Sequence, residues 1–386
     1  MNKRKLKYKG ATSVLYAAVV LIFAICISIK PLLAKVKIHN TTKSVDSATE
    51  MQAILSQGYA IENSFPAGYK KDGSIDYTAY LQEALDKYKS IIFPSFPILL
   101  NDKGLTIHSG QKIYFKKGSV LMLAPSKQGA YQILRLHDVS DVSLYGPVIK
   151  GDKYKHLGTT GEWGMGISIR GASGINIFSA KIEQCWGDGI YIGPTSSRPF
   201  SDNLNLRYIN CNDNRRNGIT VISAKNLTLQ SPSLTNTSGT QPMCGLDLEP
   251  NGNEDFLENI NILNAVTKNN QYGISFYLTP LSGQAAKTVN INIINHYDKS
   301  SKWALQFGSR GDNIQGKITV QNGSWDDNSS DAIKIVNYQP TNGAQVILKG
   351  LKITNSLNGS KQHVEGKVLS KLKRSVRSED TGVLIQ

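Results

Sequence analysis

Asp247 and Glu249 stand two residues apart in the run Gly245-Leu246-Asp247-Leu248-Glu249. In an extended strand both carboxyls leave the same face, with Cα atoms about 6.6 Å apart at about 3.3 Å per residue. Two carboxyls at this range suit glycoside hydrolysis, in which one protonates the leaving oxygen and the other activates water or attacks the anomeric carbon. A separation of about 6.5–9.5 Å indicates inversion and about 5–5.5 Å retention. The spacing is compatible with an inverting pair, and Pro250 ends the strand beside it.

Asp188, in Gly187-Asp188-Gly189 beside Trp186, is a third candidate. Its glycine neighbours lead to the expectation of a carboxyl open to a ligand, although Gly-Asp-Gly is also ordinary turn chemistry. Glu162 and His156 lie upstream and are expected to approach it. Arg215 and Arg216 fall between Asp188 and Asp247. They either clamp an acidic sugar bidentately, which would make a lyase or epimerase credible, or neutralise Asp213, Asp247 and Glu249. Trp163, Trp186, Tyr191, Tyr272, Tyr277 and Trp303 are candidates to stack on sugar rings, with packing as the alternative for each.

These residues need a scaffold, and the sequence supplies one by repetition. Seven short strands begin at Gly166, Gly189, Gly218, Gly245, Gly273, Ala304 and Ala332, at intervals of 23, 29, 27, 28, 31 and 28 residues. A second series, led by Gly174, Asn203, Asn226, Asn259 and Asn290, falls between them. Two or more strands per period, with turn residues between, predict a parallel β-helix whose coils stack at about 4.8 Å on one continuous core. Hairpin signals of the Asn-Gly type are largely missing, which disfavours a barrel or sandwich. Alternation points Ile190 and Ile192, or Leu246 and Leu248, into the coil. The outward ladder then reads Ser168, Tyr191, Thr220, Asp247, Ser275, Gln306 and Lys334. A long shallow groove of acids, amides and aromatics is expected along it.

The chain has 386 residues, 40% hydrophobic and 19% charged, which excludes a disordered chain and a disulfide-stapled miniprotein. Its net charge of +15 is concentrated at the ends, +8 within residues 1–40 and +3 within 361–386, leaving +4 for all the rest. Without a basic patch in the body, nucleic acid is not an expected partner.

Five cationic residues precede residues 11–29, a span of nineteen uncharged residues long enough to cross a bilayer as a helix. The excess of positive charge before it places the N-terminus inside and the body outside the cytoplasm, in the periplasm or at the cell surface. A cleaved signal with secretion is the alternative. Cys185, Cys211 and Cys244 are read as buried small apolar residues, and no metal spacing or cofactor motif is apparent, so no metal and no cofactor are expected.

The run "GLTIHSGQKIYFKKGSVLML" (104–123) and the segments "HLGTTGEWGMGISI" (156–169), "CWGDGIYIG" (185–193), "NRRNGITVIS" (214–223) and "GLDLEPN" (245–251) resemble the pectate-lyase-like superfamily of right-handed parallel β-helices. Within it the chain is similar to the glycoside hydrolase family 28-related, polygalacturonase-like group, over roughly residues 75–340. The resemblance implies a right-handed coil acting on a carbohydrate polymer. It does not carry the polygalacturonase residues across: Gly187-Asp188-Gly189 stands where an Asp-Asp pair would be, and Gly-His-Gly and Arg-Ile-Lys are absent.

The expected architecture is all-β: a right-handed parallel β-helix over 75–360 with a short capping helix. It is preceded by a basic cytoplasmic segment (1–10), a transmembrane signal anchor (11–29) and a linker and lead-in segment (30–74), and followed by a basic tail (361–386). The expected function is a membrane-anchored enzyme degrading a polysaccharide, acidic if the arginines clamp a uronate, through Asp188, Asp247 and Glu249. Glu162, Arg215, Arg216, Trp186, Tyr191, Tyr277 and His156 are expected to bind substrate. A lyase or epimerase, or a non-catalytic carbohydrate-binding β-helix, is the alternative.

Overall fold

The structure is a computed structural model that describes residues 47–308, 313–336, 344–354, 356–358, 361–362, 367–378 and 382–386. The described residues belong to one compact unit. Residues 11–29, read as a membrane anchor, lie outside them. Among the described residues no helix is long and apolar enough to cross a membrane.

Three long sheets run the length of the molecule, with 12, 9 and 10 strands, and every pairing within them is parallel. Each coil contributes one strand to each sheet in turn, so sequence neighbours go to different sheets and hydrogen bonds join coil to coil. The predicted ladder is the observed register of the nine-stranded sheet. Ser168 pairs with Tyr191, Tyr191 with Thr220, Thr220 with Asp247, Asp247 with Ser275, Ser275 with Gln306 and Gln306 with Lys334. The alternate residues, such as Ile190, Ile192, Leu246 and Leu248, are fully buried in a single core that continues through the stacked coils. Cys185, Cys211 and Cys244 are free and buried.

The two repeat series have distinct backbone causes. A Cβ built on Gly189 would stand 2.7 Å from the Gly218 carbonyl oxygen, on Gly218 2.5 Å from that of Gly245, and on Gly245 2.6 Å from that of Gly273. The column is glycine because successive coils approach too closely for a side chain. In the second series Gly174, Asn203, Asn226 and Asn259 have φ between 51° and 65°, a left-handed bend that Gly and Asn tolerate best.

A helix, Thr78–Lys87, covers the first coils with Leu81, Ala84 and Leu85. A second helix, Ser47–Gln57, lies in the stretch read as linker. Its Ile54 packs with Ile92 and Tyr145, and its Glu50 pairs with Lys112 at 3.0 Å. The basic tail contains a helix at Lys367–Ser378, and the strand Val383–Ile385 pairs with Gln345–Lys349 to close one end of the 12-stranded sheet.

Candidate functional site

Arg216 sits one coil beyond Asp188 and one coil before Glu249, and its side chain joins them. Nη2 donates to Glu249 Oε1 at 2.7 Å, Nη1 to Asp188 Oδ2 at 3.4 Å, and Nε stands 3.6 Å from Glu162 Oε2. Its own backbone N–H bonds the Gly187 carbonyl, which fixes where the guanidinium begins. Asp247, paired in register with Ser275 and on the same face as Glu249, adds to the negative charge that Arg216 meets. Four carboxyls from three coils therefore surround one guanidinium.

Two amide and hydroxyl residues that the sequence reading did not assign to the site complete it. Asn217 Nδ2 donates to Thr220 Oγ1 at 2.9 Å and reaches Asp247 Oδ2 at 3.4 Å, and its Oδ1 accepts from the Cys244 N–H at 2.9 Å. Thr220 stands close enough to Asp188 to favour its ionised form. The signal for both was their place in the outward columns beside Asp188 and Asp247.

The site is more deeply covered than its place on the outer face led one to expect. Asp188, expected to be open to a ligand, is fully buried, and Asp247 is 1% exposed. Arg216 lies across the Asp188 carboxyl, and the loop ending at Glu162 passes over Gly187 so closely that a Cβ there would stand 2.3 Å from the Glu162 carbonyl oxygen. The groups that reach solvent are Glu162 and Glu249, 34% and 20% exposed. Asp247 and Glu249 leave one face of the strand, as expected, but differ in access: Asp247 is buried beneath the cluster while Glu249 reaches solvent.

The electrostatics separate the acids. Burial pushes Asp188 up to about 6, with Arg216 pulling it down and Glu249 pushing it up. Burial and the neighbouring Glu249 hold Asp247 well above the usual carboxylate range, against the opposing pull of Arg216. Arg216 is raised despite its burial, because Asp188, Glu249 and Asp247 all favour its charge. Asp188 Oδ1 and Asp247 Oδ1 are buried and have no hydrogen-bond partner. An unpaired buried carboxyl oxygen is costly as an anion and is a natural seat for a proton.

The other predicted residues divide. Tyr191 lies on the outward ladder beside the cluster, and its hydroxyl is raised chiefly by burial, with Asp188 and Glu249 adding to the shift. Tyr277 follows Phe276, the partner of Leu248, so it stands one coil beyond Glu249, half-exposed.

Arg215, His156 and Trp186 leave the site. The Arg215 guanidinium lies 3.8 Å from the centroid of the Trp186 ring and donates to the carbonyls of Gly161 and Trp186, so it touches neither Asp213 nor the carboxyl cluster. His156 does not approach Asp188. It stacks on Trp186 at 3.8 Å with its buried ring held by Asp152 at 2.8 Å. Both are drawn to the indole, the largest π-face at that end of the coil. Asp213 is taken by Lys153 at 2.7 Å. Among the described residues no group of His, Cys, Asp and Glu is arranged to hold a metal ion.

No family model matches the chain. Two uncharacterized proteins of Bacillus subtilis (strain 168) are similar: YclG, 24% identical over 258 residues (55% of this chain, 44% of that protein), and the SPbeta prophage-derived YorA, 25% identical over 165 residues (39% and 28%). The chain thus spans less than half the length of these curated relatives.

Among solved structures, a 1,3-α-1,4-β-D-galactose-4-sulfate-3,6-anhydro-D-galactose-2-sulfate 4 galactohydrolase superposes with a TM-score of 0.62 at 11% identity, over 79% of this chain and 91% of that one. The tailspike protein of E. coli bacteriophage HK620, in complex with a pentasaccharide, gives 0.58 at 11% identity, over 79% and 58%. The A-module of the mannuronan C-5 epimerase AlgE4 from Azotobacter vinelandii gives 0.50 at 13% identity, over 78% and 89%.

The fold is the right-handed parallel β-helix. At these identities the likeness extends to the backbone and not to the residues. On the β-helix of this chain, the Arg216 cluster occupies the outer face of the nine-stranded sheet, midway along its length.

Proposed function

We propose that the β-helix is an enzyme that hydrolyses a polysaccharide at the Arg216 cluster. The observation that carries the reading is the commitment of both arginines. Arg216 is held by Glu162, Asp188 and Glu249, and Arg215 by Trp186 and two carbonyls. β-Elimination and C-5 epimerisation of a uronate need its carboxylate neutralised before a base removes the α-proton, and neither arginine is free to do this. Hydrolysis needs a carboxyl that keeps its proton and a second that takes one, and the cluster offers both. That solved β-helices of this shape include a galactohydrolase and an oligosaccharide-binding tailspike supports the carbohydrate class.

In this reading the proton that burial keeps on Asp247 is relayed through the ion-paired carboxylate of Glu249, the exposed member, to the glycosidic oxygen, and the proton released by the attacking water restores the cluster after turnover. Asp188, on the other arm of Arg216, is the second carboxylate; substrate binding must draw Arg216 off it before its buried, unpartnered Oδ1 can take the proton of the attacking water. Arg216 keeps these carboxyls apart and neutralises the charge that develops on them. Residues 11–29 are proposed, on length and apolarity, to anchor the β-helix outside the cytoplasm. Retention in the membrane pellet after an alkaline wash tests this.

The test of the activity is incubation of the full chain, in detergent, with neutral and acidic polysaccharides, reading reducing ends and near-ultraviolet absorbance together. Reducing ends without absorbance are expected. Both signals together would replace hydrolysis by elimination, and neither signal on any polymer would remove the catalytic reading.

A further inference from the structure

The outward ladder continues past Asp247 through Ser275 and Gln306 to Lys334, three coils and about 14 Å along the axis. There the chemistry changes sign. Tyr272 and Trp303, partners on successive coils, stack with ring centroids 5.1 Å apart and 14° between planes. Lys334 Nζ lies 4.7 Å from the Trp303 centroid and 3.2 Å from the Tyr272 hydroxyl, and Lys302 Nζ lies 4.3 Å from the same indole. Neither ammonium has a carboxylate partner among the described residues. The nearby acid, Asp331, is already paired with Lys371 at 2.8 Å. Two lysines drawn to one half-buried indole and lacking a counter-ion form a site for an anion attached to a ring that stacks.

We propose that Lys302, Lys334 and Trp303 bind an anionic sugar of the polymer, a few units from the bond held at Glu249. This rests on the reading of the Arg216 cluster as the site of hydrolysis. The cluster holds four carboxyls against one guanidinium, so the sugar seated there is uncharged. The polymer is then one that alternates uncharged units with units bearing carboxylate, sulfate or phosphate, and the β-helix measures the distance from the charge to the bond.

The test is binding of the full chain to polygalacturonate, dextran sulfate and uncharged dextran in buffer at physiological salt, followed by affinity electrophoresis. Four variants are compared: K302A/K334A, W303L, the control pair K116A/K117A, which removes the same charge elsewhere, and E249Q. Wild type and K116A/K117A are expected to be retarded by at least one anionic polymer and not by dextran. K302A/K334A should bind it about tenfold more weakly, and W303L should weaken it as well. Equal losses in the two lysine pairs, or no binding of an anionic polymer by wild type, would overturn the subsite. The two readings fail separately. If E249Q abolishes turnover while K302A/K334A binds normally, the subsite falls and hydrolysis stands. If the lysines govern binding and no polymer is cleaved, the subsite stands and hydrolysis falls.

Discussion

Arg216 and Glu249 are joined by a 2.7 Å ion pair across one coil of the β-helix, and the same guanidinium reaches back 3.4 Å to Asp188 in the coil on its other side. Removing the cation would leave carboxyls under cover with no counter-charge. Arg216→Ala is expected to cost about 3–5 kcal/mol of stability near pH 8, and less near pH 5, where the acids take up protons. Urea unfolding at the two pH values measures the difference.

Glu249→Gln keeps a hydrogen bond from Arg216 but has no proton to give. Asp247→Asn removes the reserve behind it. Each is expected to lower turnover about 10²–10⁴-fold with polymer binding little changed. Reducing-end assays set beside binding isotherms separate the two effects.

Asp188 should act oppositely on activity and stability. Its carboxyl is raised from the unfolded value of 3.8 to about 6, so between these values the folded chain holds a proton that the unfolded chain has released. Stability should therefore decline as pH rises from about 4 to 6. Turnover should climb over the range centred on about 6, because the base must be ionised. Asp188→Asn should flatten the stability curve across that window, and a curve of unchanged slope would show that Asp188 is not its source.

His296 should behave in the contrary sense. It is fully buried, accepts from Trp325 Nε1 at Nδ1, and donates from Nε2 to Thr267, whose hydroxyl bonds Asp298. Burial lowers it from 6.5 to about 3, so it stays neutral in the folded chain while the unfolded chain takes up a proton. Stability should be intact above about pH 6.5 and fall as pH drops toward 3, adding to any loss from carboxylates. His296→Gln should remove this part of the acid sensitivity, measurable by thermal unfolding between pH 3 and 7.

Trp186 is a test of packing against sugar contact. With Arg215 and His156 against its ring, Trp186→Ala is expected to destabilise the fold by about 3 kcal/mol while leaving KM for the polymer within a small factor. A selective rise in KM without loss of stability would return the residue to the substrate site.

Much of the scaffold was legible in the sequence because it rests on local rules applied repeatedly. Ile190, Ile192, Leu246 and Leu248 alternate, Gly189 and Gly218 recur where coils touch, and Asn203 and Asn226 recur where the backbone bends. The outward ladder from Ser168 to Lys334 followed from these alone. The helix Ser47–Gln57 was missed because its apolar residues form no buried stripe: beyond Ile54, Met51 is only partly buried and Ala53 and Leu55 are exposed.

The site was legible as a list of residues and less so as an arrangement. Its arrangement depends on how long side chains turn after leaving the sheet. Adjacent arginines part company, Arg216 toward the acids and Arg215 toward Trp186, and no spacing rule distinguishes them. Nor could strand spacing foresee that Asp247 would be buried while Glu249 reaches solvent, or that the loop ending at Glu162 would cover Asp188.

Asp188, Arg216 and Glu249 come from three successive coils, so the distance between them along the axis is one rung at a time, fixed by main-chain pairing. The loops that leave and rejoin those rungs have no part in that spacing. They can grow, shrink or be exchanged while the reacting groups keep their separation. In this architecture the spacing of the cluster and the make-up of the loops around it are separable, so a chain of this kind can change its surroundings without disturbing the separation of Asp188, Arg216 and Glu249.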